Sequence, residues 1–207
     1  LIEEYVRKAR IVKDGQVIEV EALDGLEEVS FPGIGRLEAF YTDGVRTLHH
    51  TLRGARNIWE KTMRYPGHAE KVRLLRDLGF FGEKPIEVDG VTVSPRQLTT
   101  RVLEHSLSVP EVRDLVIMRI EISGVVDGVE SKYIYTLLDR CDAERGISAM
   151  GRTTAYTASA VVKLLARKDL EKGVVPPERL GMHDDLFKEI MAELRMKGIV
   201  IDEDQMG

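Results

Sequence analysis

Five Asp-Gly pairs stand in the first two thirds of the chain: Asp14-Gly15, Asp24-Gly25, Asp43-Gly44, Asp89-Gly90 and Asp127-Gly128. Asp-Gly supplies the two successive positive φ angles of a type I′ turn, whose twist matches that of the strands it joins. Three of these pairs lie between β-branched runs, which predicts antiparallel hairpins over residues 11–20, 86–93 and 113–138. In the longest, Val116, Met118, Ile120 and Ile122 alternate with Leu115, Ile117, Arg119 and Glu121. On its return, Tyr133, Tyr135 and Leu137 alternate with Ile134, Thr136 and Leu138. Both faces of that ribbon carry apolar residues, so helices are expected on one face and a second domain or subunit on the other.

Helical patterns fall between the hairpins. Ser94-Pro95-Arg96-Gln97 reads as a capping box with Pro at the first helical position, followed by Leu98, Val102, Leu103 and Leu107 on one side. Residues 68–78 set Val72, Leu75 and Leu78 in one stripe and stop at Gly79. Residues 153–168 place Ala155, Ala158, Val162, Leu165 and Ala166 on one face. Asp184 or Asp185 is expected to cap a last helix with Leu186, Phe187, Ile190, Met191 and Leu194 inward, before a short Ile199-Val200-Ile201 strand. Hairpins alternating with helices indicate an α+β fold: a mixed, largely antiparallel β-sheet with helices packed on one face.

Composition removes several function classes. Thirty Lys and Arg against 35 Asp and Glu leave a net charge of −5, without the positive field that tracks a phosphate backbone, so nucleic acid is not an expected partner. The single cysteine, Cys141, excludes an internal disulfide framework and a thiolate metal cluster, and it reads as a buried structural thiol. No apolar run approaches the roughly 20 residues that cross a bilayer, so the chain reads as a cytoplasmic, membrane-free protein. Gly33-Ile34-Gly35 lacks the third glycine of a dinucleotide fingerprint, where Glu38 stands, and no phosphate-binding loop occurs elsewhere. Adjacent His49 and His50 are expected to diverge, and no paired histidine spacing supports a metal site. A start at Leu1, directly in an amphipathic stretch, suggests one part of a longer chain.

Three stretches hold residues suited to chemistry. In residues 60–68 an alternating strand brings Thr62, Arg64 and His68 toward one side before Pro66-Gly67 turns into a helix. Arg64 there suits a bidentate grip on a carboxylate, or else an ion pair with Glu60 or Asp77. In residues 40–47 Asp43 is the expected N-cap of a helix running through Leu52, and strand-to-helix transitions of this kind gather ligand groups. In residues 150–156 Gly151 and the Thr153-Thr154 pair open a helix beside Arg152, an anion site in outline or a plain capped core helix.

Together these stretches resemble the C-terminal part of the saccharopine dehydrogenase family, most closely its lysine 6-dehydrogenase branch. The similarity is carried by Tyr5 to Leu23 with Val12-Lys13-Asp14-Gly15, by Leu37-Glu38-Ala39-Phe40-Tyr41-Thr42-Asp43-Gly44, and above all by Lys61-Thr62-Met63-Arg64-Tyr65-Pro66-Gly67-His68. Ala149-Met150-Gly151-Arg152-Thr153-Thr154-Ala155 and Gly173-Val174-Val175-Pro176-Pro177-Glu178 complete it.

The resemblance implies a fold like the C-terminal domain of glyceraldehyde-3-phosphate dehydrogenase: a substrate and dimerisation domain over residues 1–150, and a helical segment over 151–207 that returns to a Rossmann domain not present in this sequence. It implies oxidation of a CH–NH group with NAD or NADP in the whole protein, with no cofactor held by this chain and no activity from it alone. Arg64 would hold the carboxylate of an amino-acid substrate; Thr62, Tyr65, His68, Tyr41, Asp43 and Arg46 would line the pocket. Gly151, Arg152, Thr153, Thr154 and Tyr156 would close over the nicotinamide. A homodimer through the sheet is the implied assembly. The other reading is a stand-alone small-molecule-binding or dimerisation domain without redox activity.

Overall fold

The computed structural model describes residues 2–108 and 113–206. Its contacts divide the chain into two compact units, residues 1–108 and 109–207. The boundary read from the sequence, 150/151, lies instead inside a helix of the second unit, because that helix packs on the long hairpin that precedes it.

The first unit opens with α1 (Glu3–Val6) and the hairpin of β1 (Ala9–Lys13) and β2 (Gln16–Val20). Asp14 at φ 50° and Gly15 at φ 79° make the turn. β3 (Glu27–Phe31), β4 (Gly35–Tyr41) and β5 (Lys61–Arg64) form an antiparallel sheet in that order, with the short α2 (Leu48–Thr51) between the last two. Next come α3 (His68–Asp77), the hairpin of β6 (Ile86–Val88) and β7 (Val91–Val93), and α4 (Pro95–Leu107). The α4 cap is the expected one: Gln97 N–H donates to Ser94 Oγ at 3.4 Å. Ile2, Tyr5, Leu23, Phe40, Ala69 and Phe81 form the core, with Val72, Leu75 and Leu103 packed against it.

The inward stripes of both helices differ from the expected ones. Leu78 lies beyond the last turn of α3 and is 65% exposed. Leu98, Val102 and Leu107 of α4 are exposed, whereas Leu103 and the buried Thr99 face in. The hydroxyl of Thr99 donates to Phe80 O at 2.8 Å, which fixes the rotation of the helix with a polar side chain that an apolar-periodicity count passes over.

The second unit comprises β8 (Leu115–Val126), β9 (Val129–Arg140), α5 (Ala149–Arg167), α6 (Pro177–Gly181), α7 (Asp184–Met196) and β10 (Asp202–Met206). The strands pair antiparallel in the order β10-β9-β8, with Asp127 and Gly128 at positive φ in the hairpin turn. Leu137, Leu194 and Ile199 are buried together, with Val116, Met118, Tyr156, Ile190 and Met191 against them. On the other face of the ribbon Glu121, opposite the buried Ile134, pairs with Arg119 at 2.5 Å and with Lys132 at 2.6 Å.

α5 buries Ala149, Ala160 and Leu164, while Ala155, Ala158, Val162, Leu165 and Ala166 are exposed. The expected stripe is thus the outer one, since Tyr156 and an ion-paired Arg152 turn the opposite side to the sheet. His183, not an aspartate, is the N-cap residue of α7, and Phe187 is left half exposed. Ile199 and Ile201 pack into the core ahead of the strand, which begins at Asp202.

The α+β architecture with antiparallel pairing stands as expected, with the strands of the described residues distributed over four sheets of two or three. Among the described residues no helix is long and apolar enough to cross a membrane.

Candidate functional site

The site grows from the register of two strands. Glu38 of β4 is opposite Arg64 of β5, and Phe40 is opposite Thr62. Alternate residues share a face, so Glu38, Phe40 and Thr42 form one row with Arg64, Thr62 and Glu60 beside them. Phe40 is fully buried in the core with Tyr5, Ala69 and Phe81, so this row faces that core. Above it stand Tyr5 of α1 and His68 of α3, whose rings lie 6.4 and 6.5 Å from that of Phe40.

Each polar member of the row has a partner. The Thr42 hydroxyl donates to Glu60 Oε2 and shares a 2.8 Å hydrogen bond with Thr62 Oγ1. Arg64 Nη2 lies 3.0 and 3.2 Å from the two carboxylate oxygens of Glu4. Glu38 accepts from Gly67 N–H at 2.9 Å and from Ala69 N–H, so its carboxylate already occupies the first turn of α3. His68 Nε2 and Tyr5 Oη are 3.0 Å apart. Burial, followed by the charge of Arg64, holds the His68 imidazole below its ordinary pKa, and burial with Glu4 nearby raises the Tyr5 phenol.

At the Thr42 end the row opens into a cleft of about 420 Å³, with Glu4 and Arg7 on one wall and Thr42, Asp43, Arg46 and Glu60 on the other. Asp43 does not cap a helix: α2 starts later, with Thr47 as its N-cap residue. Its carboxylate instead accepts from the backbone and side chain of Arg10, both at 3.4 Å, and pairs with Arg46 at 3.2 Å. Burial pushes the Asp43 carboxyl up, and these two arginines outweigh it, leaving it below the usual range. Glu60 is the reverse case: burial raises its carboxyl, the Thr42 hydroxyl opposes this, and Glu4 adds to the rise.

The expected pocket residues are therefore only partly gathered. Asp43 and Arg46 line the cleft, and Thr62 reaches it through Thr42. Arg64 and His68 lie in the same row but are engaged by Glu4 and Tyr5, and Arg64 pairs with neither Glu60 nor Asp77. Tyr41 projects to the opposite face of β4, where Lys61 Nζ sits 4.7 Å from its ring centroid. Tyr65 is 64% exposed on the turn. The His49 and His50 rings do not diverge; their centroids are 3.8 Å apart. Glu4, Arg7 and Glu60 were not singled out as site residues from the sequence, although the Glu60, Thr62, Arg64 alternation already set Glu60 on the functional face.

The second expected site is filled from within. α5 begins at Ala149, and the Ala149 and Met150 N–H groups donate to the two oxygens of Asp114 at 2.7 and 2.9 Å. Gly151 N–H donates to the Ser148 hydroxyl at 3.0 Å. Arg152 Nε donates to Asp139 at 3.1 Å and Nη2 to Lys197 O at 3.3 Å, while Nη1 lies 3.6 Å from Asp142. The Thr153 and Thr154 hydroxyls donate back to helix carbonyls, and Tyr156 lies under Arg152 and Lys197. The first N–H groups of α5 and the Arg152 guanidinium are thus already taken up by Asp114, Ser148 and Asp139, so the anion site read in outline here is occupied by this chain's own side chains. Cys141 is half-buried, and among the described residues no three His, Cys, Asp or Glu side chains gather as a metal site.

The family model of the saccharopine dehydrogenase C-terminal domain matches residues 1–199 of this chain.

Proposed function

Since the chain belongs to the saccharopine dehydrogenase C-terminal domain family, we propose that it is the substrate-side domain of an NAD(P)-dependent amino-acid dehydrogenase of the lysine 6-dehydrogenase type. In this reading a longer protein supplies the nicotinamide cofactor, which accepts a hydride from the carbon bearing the amine. This chain orients the amino acid and contributes the dimer contacts.

The observation that carries the reading is the cleft at the Thr42 end of β4. It joins guanidinium groups, Arg7 and Arg46, to a half-buried carboxylate, Glu60, within one space of about 420 Å³. A zwitterionic amino acid needs partners of both signs within one cleft. Arg46 shares its guanidinium with Asp43 but is 57% exposed, whereas Arg64, 34% exposed, receives a substrate carboxylate only when Glu4 leaves it.

Steady-state assay of the full-length protein against lysine, saccharopine and polyamines, with NAD and NADP separately, tests the reading. NAD(P)H formation with an amino-acid substrate is the expected result. No turnover of any CH–NH substrate with either cofactor overturns it. The internal filling of the α5 N-terminus favours one other reading, a binding or dimerisation domain without redox chemistry, for which a ligand-dependent rise in melting temperature without turnover is the expected result.

A further inference from the structure

Three of the four carboxylates around the cleft are matched by cations. Glu3 pairs with Arg7 and Arg96, Glu4 with Arg64, and Asp43 with Arg10 and Arg46. Glu60 has no cationic partner among the described residues; its side chain is held by the Thr42 hydroxyl, which is itself bonded to Thr62. Hydroxyl donors fix a carboxylate in place but do not neutralise it, and a half-buried unpaired charge is costly to the fold.

Gly44 is part of the same arrangement. A Cβ built there would fall 2.6 Å from Glu60 Oε2, so only a glycine lets the carboxylate lie flat against the loop at the cleft wall. An anchored carboxylate without a cationic partner, facing a cleft that also holds arginines, suits a guest with a positive and a negative end.

We propose that Glu60 is the seat of a primary ammonium group, binding the amine end of a zwitterionic ligand while Arg46 and Arg7 face its carboxylate end. The inference rests on the amino-acid dehydrogenase reading for the identity of the ligand, but the seat itself is built from this chain alone. Thr42 and Thr62 are positioning residues: they hold Glu60 Oε2 through a hydroxyl chain that runs from the residue after β4 to β5.

The test is a titration of the 207-residue chain, labelled with ¹³C and ¹⁵N, with n-butylammonium, and in parallel with n-butanol as the neutral guest of similar length. The expected result is a saturable shift of the Glu60 side-chain carboxyl carbon and of the Thr42, Gly44 and Thr62 amides, with a dissociation constant on the order of 1 mM. Butanol is expected to leave these signals unmoved. Glu60→Gln should weaken ammonium binding roughly tenfold or more, because a neutral amide replaces a charge-assisted acceptor. The wild-type carboxyl signal reads the seat directly, so the conclusion does not hang on the folding of that variant.

Absence of saturation, equal response to butanol, or unchanged affinity in a folded Glu60→Gln protein overturns the seat. Turnover of amino acids by the full-length protein alongside any of those results leaves the dehydrogenase reading standing and removes Glu60. Binding at Glu60 without turnover of any CH–NH substrate leaves the seat standing and removes the dehydrogenase reading.

Discussion

Replacing Arg152 by Met separates a structural guanidinium from a cofactor contact. The Arg152 side chain is 11% exposed and that of Asp139 is 8% exposed, with contacts of 3.1 and 3.4 Å between them. Removing the guanidinium strands the Asp139 carboxylate on β9, two residues from buried Leu137 and without its cation. Breaking a buried pair by deleting one partner costs about 3–5 kcal/mol, a large share of the 5–15 kcal/mol that holds a typical domain. For a unit of about 100 residues each kcal/mol moves Tm by roughly 4–8 °C, so a loss of about 12 °C or more is expected.

Amide hydrogen exchange along β9 is the appropriate assay, because it reads the second unit directly, while the only tryptophan, Trp59, lies in the first. Pairing Arg152→Met with Asp139→Leu should restore most of the lost protection, since an apolar pair of similar volume replaces both charges. β9 protection in the single variant equal to wild type, or a double variant as weak as the single, would refute the structural assignment and return Arg152 to the list of anion contacts.

Glu38→Gln should lower stability by about 1–2 kcal/mol through loss of a charged acceptor at the α3 N-terminus, read as a reduced midpoint in urea, and an unchanged midpoint contradicts the capping role. If the proposed dehydrogenase reading holds and a substrate carboxylate displaces Glu4, Arg64→Lys in the full-length protein should lower kcat/KM by roughly tenfold with cofactor affinity unchanged; a drop in Tm with kinetics preserved in the folded fraction marks the Glu4 pair as structural. Burial raises the Glu60 pKa in the folded state, so the fold binds that proton more tightly than the unfolded chain does. Its contribution is most favourable below the ordinary carboxylate range and is lost as pH rises through the elevated value. Glu60→Gln should therefore be the more stable protein at neutral pH, with the gap closing on acidification; a gap that widens toward acid in urea melts reverses the sign. A homodimer through the outer face of the ribbon of β8 and β9 should give a two-chain mass in sedimentation equilibrium at tens of micromolar, and Leu138→Glu, on a residue 40% exposed in the row opposite to Val116 and Met118, should shift it to the monomer; a wild-type monomer at that concentration removes the assembly.

What the sequence determined by itself is the local geometry. Asp-Gly at positions 14–15, 89–90 and 127–128 sets three hairpins because the required positive φ angles are a property of two adjacent residues. The Ser94 cap and the Gly79 stop likewise need only their own turn. The alternation of Glu60, Thr62 and Arg64 was equally legible, and with it the existence of a polar row on β5. Tertiary structure decided who meets whom. Arg64 found Glu4 at a separation of 60 residues, Arg10 found Asp43 at 33, and Asp114 reached the α5 N-terminus from 35 residues away. It also decided which side of α5 turned inward, through Tyr156 and Arg152 against β9. Periodicity says that a face exists, but a charge in a partly buried environment takes whichever opposite charge the packing delivers, and that delivery depends on contacts far apart in the chain. Glu60 stands out for the same reason: only the folded arrangement leaves its carboxylate half-buried, fixed by hydroxyls and unmatched by any cation among the described residues.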